Sequence, residues 1–174
     1  MKYTGLLLIA LLITVGCSKE IPSELLVERD GITYEVNSQK PFRGISVNYY
    51  NNTQLMYRKN FKDGVQNGLD EEYSENGALI RRNNFKDGVL DGPQEMYFEN
   101  GQLELKAIYK DGLPDGPMEG YSENGHLDYI SYMKGDKIVS TEFYDENGEL
   151  IEYGSEDEYW EEIIEVNEDE DKDY

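Results

Sequence analysis

A unit of 24 residues recurs along the chain, and that period constrains the fold before any local propensity does. Phe61-Lys62-Asp63-Gly64 returns as Phe85-Lys86-Asp87-Gly88 and as Tyr109-Lys110-Asp111-Gly112. Between the copies stand Glu75-Asn76-Gly77, Glu99-Asn100-Gly101 and Glu123-Asn124-Gly125. The register reaches upstream through Gly44, Tyr49, Asn52 and Leu55, where Thr53 takes the place of Gly77. Downstream it continues through Tyr144, Asn147-Gly148 and Leu150, one residue having been lost near Lys134-Gly135-Asp136. This makes about five units, the outer two atypical, as terminal repeats tend to be.

Asp-Gly and Asn-Gly between apolar-alternating runs are strong hairpin signals, because Gly reaches positive φ freely and Asn tolerates it better than most residues. Each unit carries both turns, which leaves two strands of roughly six to eight residues. Leu103, Leu105, Ala107 and Tyr109 alternate onto one face, as do Leu127, Tyr129, Ser131 and Met133. The expected fold is all-β: an elongated antiparallel meander over residues 30–153, ~45 Å long for about ten strands, with a thin core stabilised by contacts between neighbouring hairpins. Tyr49, Tyr73, Tyr97, Tyr121 and Tyr144 fall on equivalent strands, about every ~10 Å. The row reads as packing, with an aromatic binding stripe as the alternative.

These residues resemble the MORN-repeat-variant family, often catalogued as YwqK-type antitoxin components, whose pattern runs roughly K-D-G-x-x-x-G-x-W-x-x-Y-Y-x-N-G-x-L. The match includes Lys86-Asp87-Gly88, Gly92, Tyr97, Asn100-Gly101 and Leu103, with their equivalents one unit either side. Lys40-Pro41-Phe42-Arg43-Gly44 is similar to the family's usual opening. Where the family often has Trp two after the Gly, this chain has Ser46, Asp70, Gln94 and Met118. The resemblance implies a repeat protein that binds a protein partner.

Met1-Lys2 followed by an apolar run from Leu6 to Val15 fits a signal peptide over residues 1–16, the run being too short to span a bilayer. Thr14-Val15-Gly16-Cys17 resembles a bacterial lipoprotein processing box. Cys17 is the sole cysteine, so no internal disulfide can form, and lipidation there would anchor the chain. Residues 17–29 then read as a tether, and the expected location is the cell envelope, at the outer membrane or cell surface in a Gram-negative cell.

Net charge is −21, with eleven acids and one Lys between Ser155 and Tyr174. That excess excludes nucleic acid as a partner, because phosphates would be repelled. Residues 154–174 form an acidic tail. Within it, Ser155 and Glu158 make a capping box, and Tyr159, Trp160, Ile163 and Ile164 follow at helical spacing. A short amphipathic helix there would either cap the last hairpin or be displayed to a partner.

The residues contain no catalytic constellation: His126 is the only histidine and follows a turn, and phosphate-loop, nucleophile-elbow and His/Cys metal spacings are missing. Asp63, Asp87 and Asp111, like Glu75, Glu99, Glu123 and Glu146, read as turn chemistry. No enzyme activity, cofactor or metal is expected. The leading expectation is a non-enzymatic, lipid-anchored repeat protein presenting a ribbon to a protein or envelope component. Alternatives are an antitoxin or immunity-type protein that neutralises a toxin, and a carbohydrate-binding protein that uses the Tyr row.

Overall fold

The computed structural model describes residues 19–155. The proposed signal peptide, Cys17 and the helix expected after Ser155 lie outside them. Among the described residues fourteen strands carry the fold: β1 (Glu20–Pro22), β2 (Leu26–Arg29), β3 (Ile32–Glu35), β4 (Gly44–Tyr49), β5 (Leu55–Lys62), β6 (Val65–Tyr73), β7 (Leu79–Lys86), β8 (Val89–Leu90), β9 (Gly92–Tyr97), β10 (Leu103–Lys110), β11 (Leu113–Tyr121), β12 (Leu127–Lys134), β13 (Lys137–Tyr144) and β14 (Leu150–Ser155). One sheet runs β1-β4-β5-β6-β7-β9-β10-β11-β12-β13-β14, with β8 paired to β7. Every pair in it is antiparallel except β1 with β4. No α-helix occurs among the described residues, and the meander expected from the repeat is the fold.

The two turns of each repeat are built differently. At Asp63-Gly64, Asp87-Gly88 and Asp111-Gly112 both residues have positive φ, between 49° and 89°, the two-residue turn whose twist suits a hairpin. The glycine amide of each then donates across to the preceding repeat: Gly64 to Phe42, Gly88 to Gln66, Gly112 to Leu90, and Gly135 to Pro114, at 2.8–2.9 Å. At the Asn-Gly turns only the glycine is left-handed, as at Gly77, Gly101, Gly125 and Gly148. The Asn contributes its side chain instead. Asn76, Asn100 and Asn52 each accept from the amide two residues on, at 2.9–3.0 Å, while Asn52 and Asn100 also donate to the carbonyls of Glu75 and Glu123 in the next repeat. Asn124 accepts from the Ser122 hydroxyl, and at Asn147 the side chain of Asp145 does the accepting. The expectation that these Asn residues sit at positive φ is therefore corrected: a three-residue loop places the strain on one position, and Gly fills it. Thr53 holds that position in the first unit, with φ 69°.

A second glycine per unit was only a landmark in the sequence. Gly68, Gly92 and Gly116 lie in bulges, where three residues of one strand face one of the next, as between Asp70–Gln66 and Lys59–Phe61. The side-chain amide of Asn60 donates to the Leu69 carbonyl there, and that of Asn84 to the Pro93 carbonyl. The added residues bend each strand.

The core is concentrated at the N-terminal end. Among the described residues, Ile21, Phe42, Ile45 and Val47 are four of the five buried apolar ones, and Ala107 is the fifth. Phe42 packs on Phe61 with ring centroids 5.7 Å apart. Residues 20–29, expected as tether, are instead β1, a 3-10 turn at Ser23–Leu25 and β2. The repeat sheet correspondingly begins at Gly44 and not near residue 30: Asp30-Gly31 makes a hairpin of β2 and β3 that pairs with itself. That hairpin is tied down by the amide of Thr33 donating to Gly64 and that of Phe42 donating to Thr33. A tether's polarity concealed Ile21, whose burial depends on β1 meeting β4 from far along the chain.

Candidate binding face

Side chains two apart share a face, so each strand offers one residue to a row that crosses the sheet. On one face the row reads Val47, Arg58, Glu71, Arg82, Glu95, Lys106, Glu119, Ile130, Glu142, Tyr153. Charge alternates through its middle. Arg82 is the best-formed rung: its guanidinium donates to Glu71 at 3.3 Å and to Glu95 at 3.5 Å, which joins three strands. Arg58 turns toward β1 and donates twice to Glu20, at 2.9 and 3.2 Å.

The Tyr row lies beside this ladder and is coupled to it. Tyr97 donates to Glu95 at 2.7 Å, Tyr121 to Glu119 at 2.7 Å and Tyr144 to Glu142 at 2.6 Å, each two residues back on its own strand. All three phenols titrate above their ordinary range. Burial and then the carboxylate raise Tyr97 and Tyr121, the latter to about 12, whereas for Tyr144 the bond to Glu142 dominates. Burial and Glu71 raise Tyr73 against the opposing pull of Arg58 and Arg82. Each Tyr also faces a Leu across the hairpin: Tyr49–Leu55, Tyr73–Leu79, Tyr97–Leu103, Tyr121–Leu127 and Tyr144–Leu150. Tyr49 differs from the rest. Val47 replaces the Glu, and the residue is 49% exposed.

The opposite face holds the row Ser46, Lys59, Asp70, Asn83, Gln94, Ala107, Met118, Ser131, Thr141. It contains the four positions at which the resemblance puts a frequent Trp. Here the row is small and polar: Ser46, Asp70, Asn83 and Ser131 are buried, and Gln94 donates to Asn83 at 2.9 Å. Burial pushes the Asp70 carboxyl up, while Lys59 and the amide of Gln66 oppose the shift.

The turn acids stand on the rim. Asp63, Asp87 and Asp111 are exposed, as are Glu75, Glu99, Glu123, Glu146 and His126. Among the described residues no group of three His, Cys, Asp or Glu side chains converges as a metal site. The charged ladder escaped the sequence reading although its signal was there, with Arg58, Arg82 and Lys106, and Glu71, Glu95 and Glu119, each 24 apart.

Comparison with known proteins agrees with this architecture. The model of the MORN repeat variant matches residues 90–111 and 114–134, two consecutive units from β8 to the end of β12. No curated protein matches the chain.

Proposed function

We propose that this chain is a non-enzymatic, lipid-anchored repeat protein that presents the Tyr–Glu face of its sheet to a protein or envelope component outside the cytoplasm. The observation that carries the reading is the ladder itself. A pre-ordered row of three Tyr–Glu pairs, at Tyr97, Tyr121 and Tyr144, lies along an accessible sheet face whose residues are fixed before any partner arrives, which lowers the ordering cost of association. Repeat arrays commonly use such extended surfaces for binding. Tyr49, half exposed and lacking a Glu beside it, marks the accessible end of the row.

Two measurements test this. A photo-crosslinking amino acid at Tyr49, with another at the exposed turn residue Glu99 as control, should trap a discrete envelope species from Tyr49 only; equal trapping from both positions defeats the face assignment. Metabolic labelling with a clickable palmitate analogue should tag the wild type and not Cys17→Ser, and equal labelling removes the anchor.

The charge of −21 favours a second reading, an immunity-type protein for a basic toxin, since opposite charge accelerates encounter. Co-expression with neighbouring toxic open reading frames separates the two, because only an immunity protein rescues growth.

A further inference from the structure

The charged row carries a cation at three equivalent positions, of which Arg82 joins two glutamates and Lys106 faces Glu119 without an ion pair among the described residues, and it lacks a cation at the next position. Arg58, Arg82 and Lys106 occupy equivalent positions, and the next equivalent is Ile130. Ile130 sits directly between Glu119 and Glu142, as Arg82 sits between Glu71 and Glu95. Neither Glu119 nor Glu142 has an ion pair among the described residues. Both are half-buried, and both already accept from a tyrosine hydroxyl, which fixes their orientation. The two carboxylates are two strand spacings apart, ~10 Å, the span that Arg82 bridges two repeats earlier.

We infer that Glu119 and Glu142 bind a guanidinium supplied from outside, an arginine side chain of a protein partner laid over Ile130 to complete the missing rung. This rests on the binding-face reading and names the chemistry of its partner. The internal repeat supplies the template, since Arg82 shows how a planar fork spans this pair of carboxylates. The rim fits the same occupant. Tyr132, two residues from Ile130 on the same face and 38% exposed, and Tyr153, next to Glu142 and 55% exposed, offer ring faces on which a guanidinium stacks. Tyr132 lies near enough to Tyr144 to raise its phenol further. Exposed aromatic residues around a charged centre mark a protein interface more than a site for a free ion. The chain's own tail, rich in acids, has the wrong charge for this place.

The probe is a blocked alanine pentapeptide with a central arginine, titrated into the isotope-labelled full chain and followed by amide chemical shifts. Saturable shifts should centre on Glu119, Ile130 and Glu142. Glu142→Gln or Glu119→Gln should weaken the peptide at least about tenfold, as truncating one partner of a charge pair does. A citrulline peptide should give no saturable shift, and a lysine peptide should bind more weakly than the arginine one. Ile130→Arg should fill the site from within and abolish binding. If that variant does not fold, the two glutamine variants, which preserve shape, decide alone. Binding indifferent to them, equal binding of the citrulline or lysine peptide, or shifts that follow protein concentration without peptide would overturn the assignment. Because the ligand is synthetic, its failure leaves the wider reading to the crosslinking test, and failure of crosslinking at Tyr49 leaves this site standing.

Discussion

Tyr121 donates its hydroxyl to Glu119 across 2.7 Å, two residues back along the same strand, and this contact recurs at Tyr97–Glu95 and Tyr144–Glu142. The donor must keep its proton for the contact to exist. Its folded pKa, about 12, lies above the ordinary 10.0, so the contact's stabilisation is complete below pH 10 and disappears as pH climbs toward about 12. Tyr121→Phe should therefore cost ~1 kcal/mol at neutral pH, and the gap to wild type should close in that alkaline window. Urea unfolding at a series of pH values measures it; a gap that stays constant through the window refutes the coupling.

Thr53→Gly should stabilise the protein. Thr53 holds φ 69° in a turn whose later copies use glycine, and a β-branched residue is disfavoured there. Relief of roughly 1 kcal/mol is expected, partly offset by glycine's greater freedom in the unfolded chain. An unchanged or lowered denaturation midpoint would mean that the turn tolerates Thr without strain.

Gly64→Ala and Gly101→Ala should differ sharply, although both residues have φ near 85°. A Cβ at Gly101 meets nothing within 4 Å, so only the backbone term, ~1 kcal/mol, applies. At Gly64 the same atom would overlap the Ile32 side chain and come within 2.9 Å of the Thr33 carbonyl. Alanine there should cost several-fold more and detach the β2–β3 hairpin, seen as loss of amide-exchange protection at Thr33. Equal costs would show that the hairpin is not held by this turn.

Asp70→Asn should raise stability at neutral pH. The side chain is 5% exposed, and its Oδ1 is buried without a hydrogen-bond partner. Burial raises its folded pKa above 3.8, so the folded state binds the proton more tightly than the unfolded one. The sign follows: this group's contribution is greatest below pH 3.8 and falls as pH rises through the folded value. Asn removes that loss, by about 1 kcal/mol, while keeping the shape and an oxygen to accept from the Gln66 side-chain amide. A variant that is less stable at neutral pH would show that the ionised form is worth more to Lys59 and Gln66 than its burial costs.

Much of this was legible in the sequence because a repeat states the same physical instruction several times. Asp63-Gly64 and its copies encode a two-residue turn, and those copies fix the strand count and the order of pairing. Asn76-Gly77 and its copies encoded a turn whose place was right and whose geometry was not, since the dipeptide does not reveal whether Asn acts through its backbone or its side chain. The bulges at Gly68, Gly92 and Gly116 were visible only as a spacing. The ladder was hidden in plain charge: in a chain with 37 acids, Glu71 and Glu95 stand out only once pairing sets Arg82 between them. The place of β1 was least accessible, because a parallel strand of three residues depends on contacts from beyond its own segment.

The two ends of the sheet are not equivalent. At β1 the edge is short, ends in Pro22 and is backed by most of the buried apolar side chains; at β14 the last described strand leaves Leu150, Ile151 and Tyr153 more than half exposed. The closed end is also the end a ribosome makes first. Each later hairpin can hook its glycine amide onto a carbonyl already in place, so the protein can be assembled in the order of its synthesis, one repeat at a time, with only the newest edge unpaired.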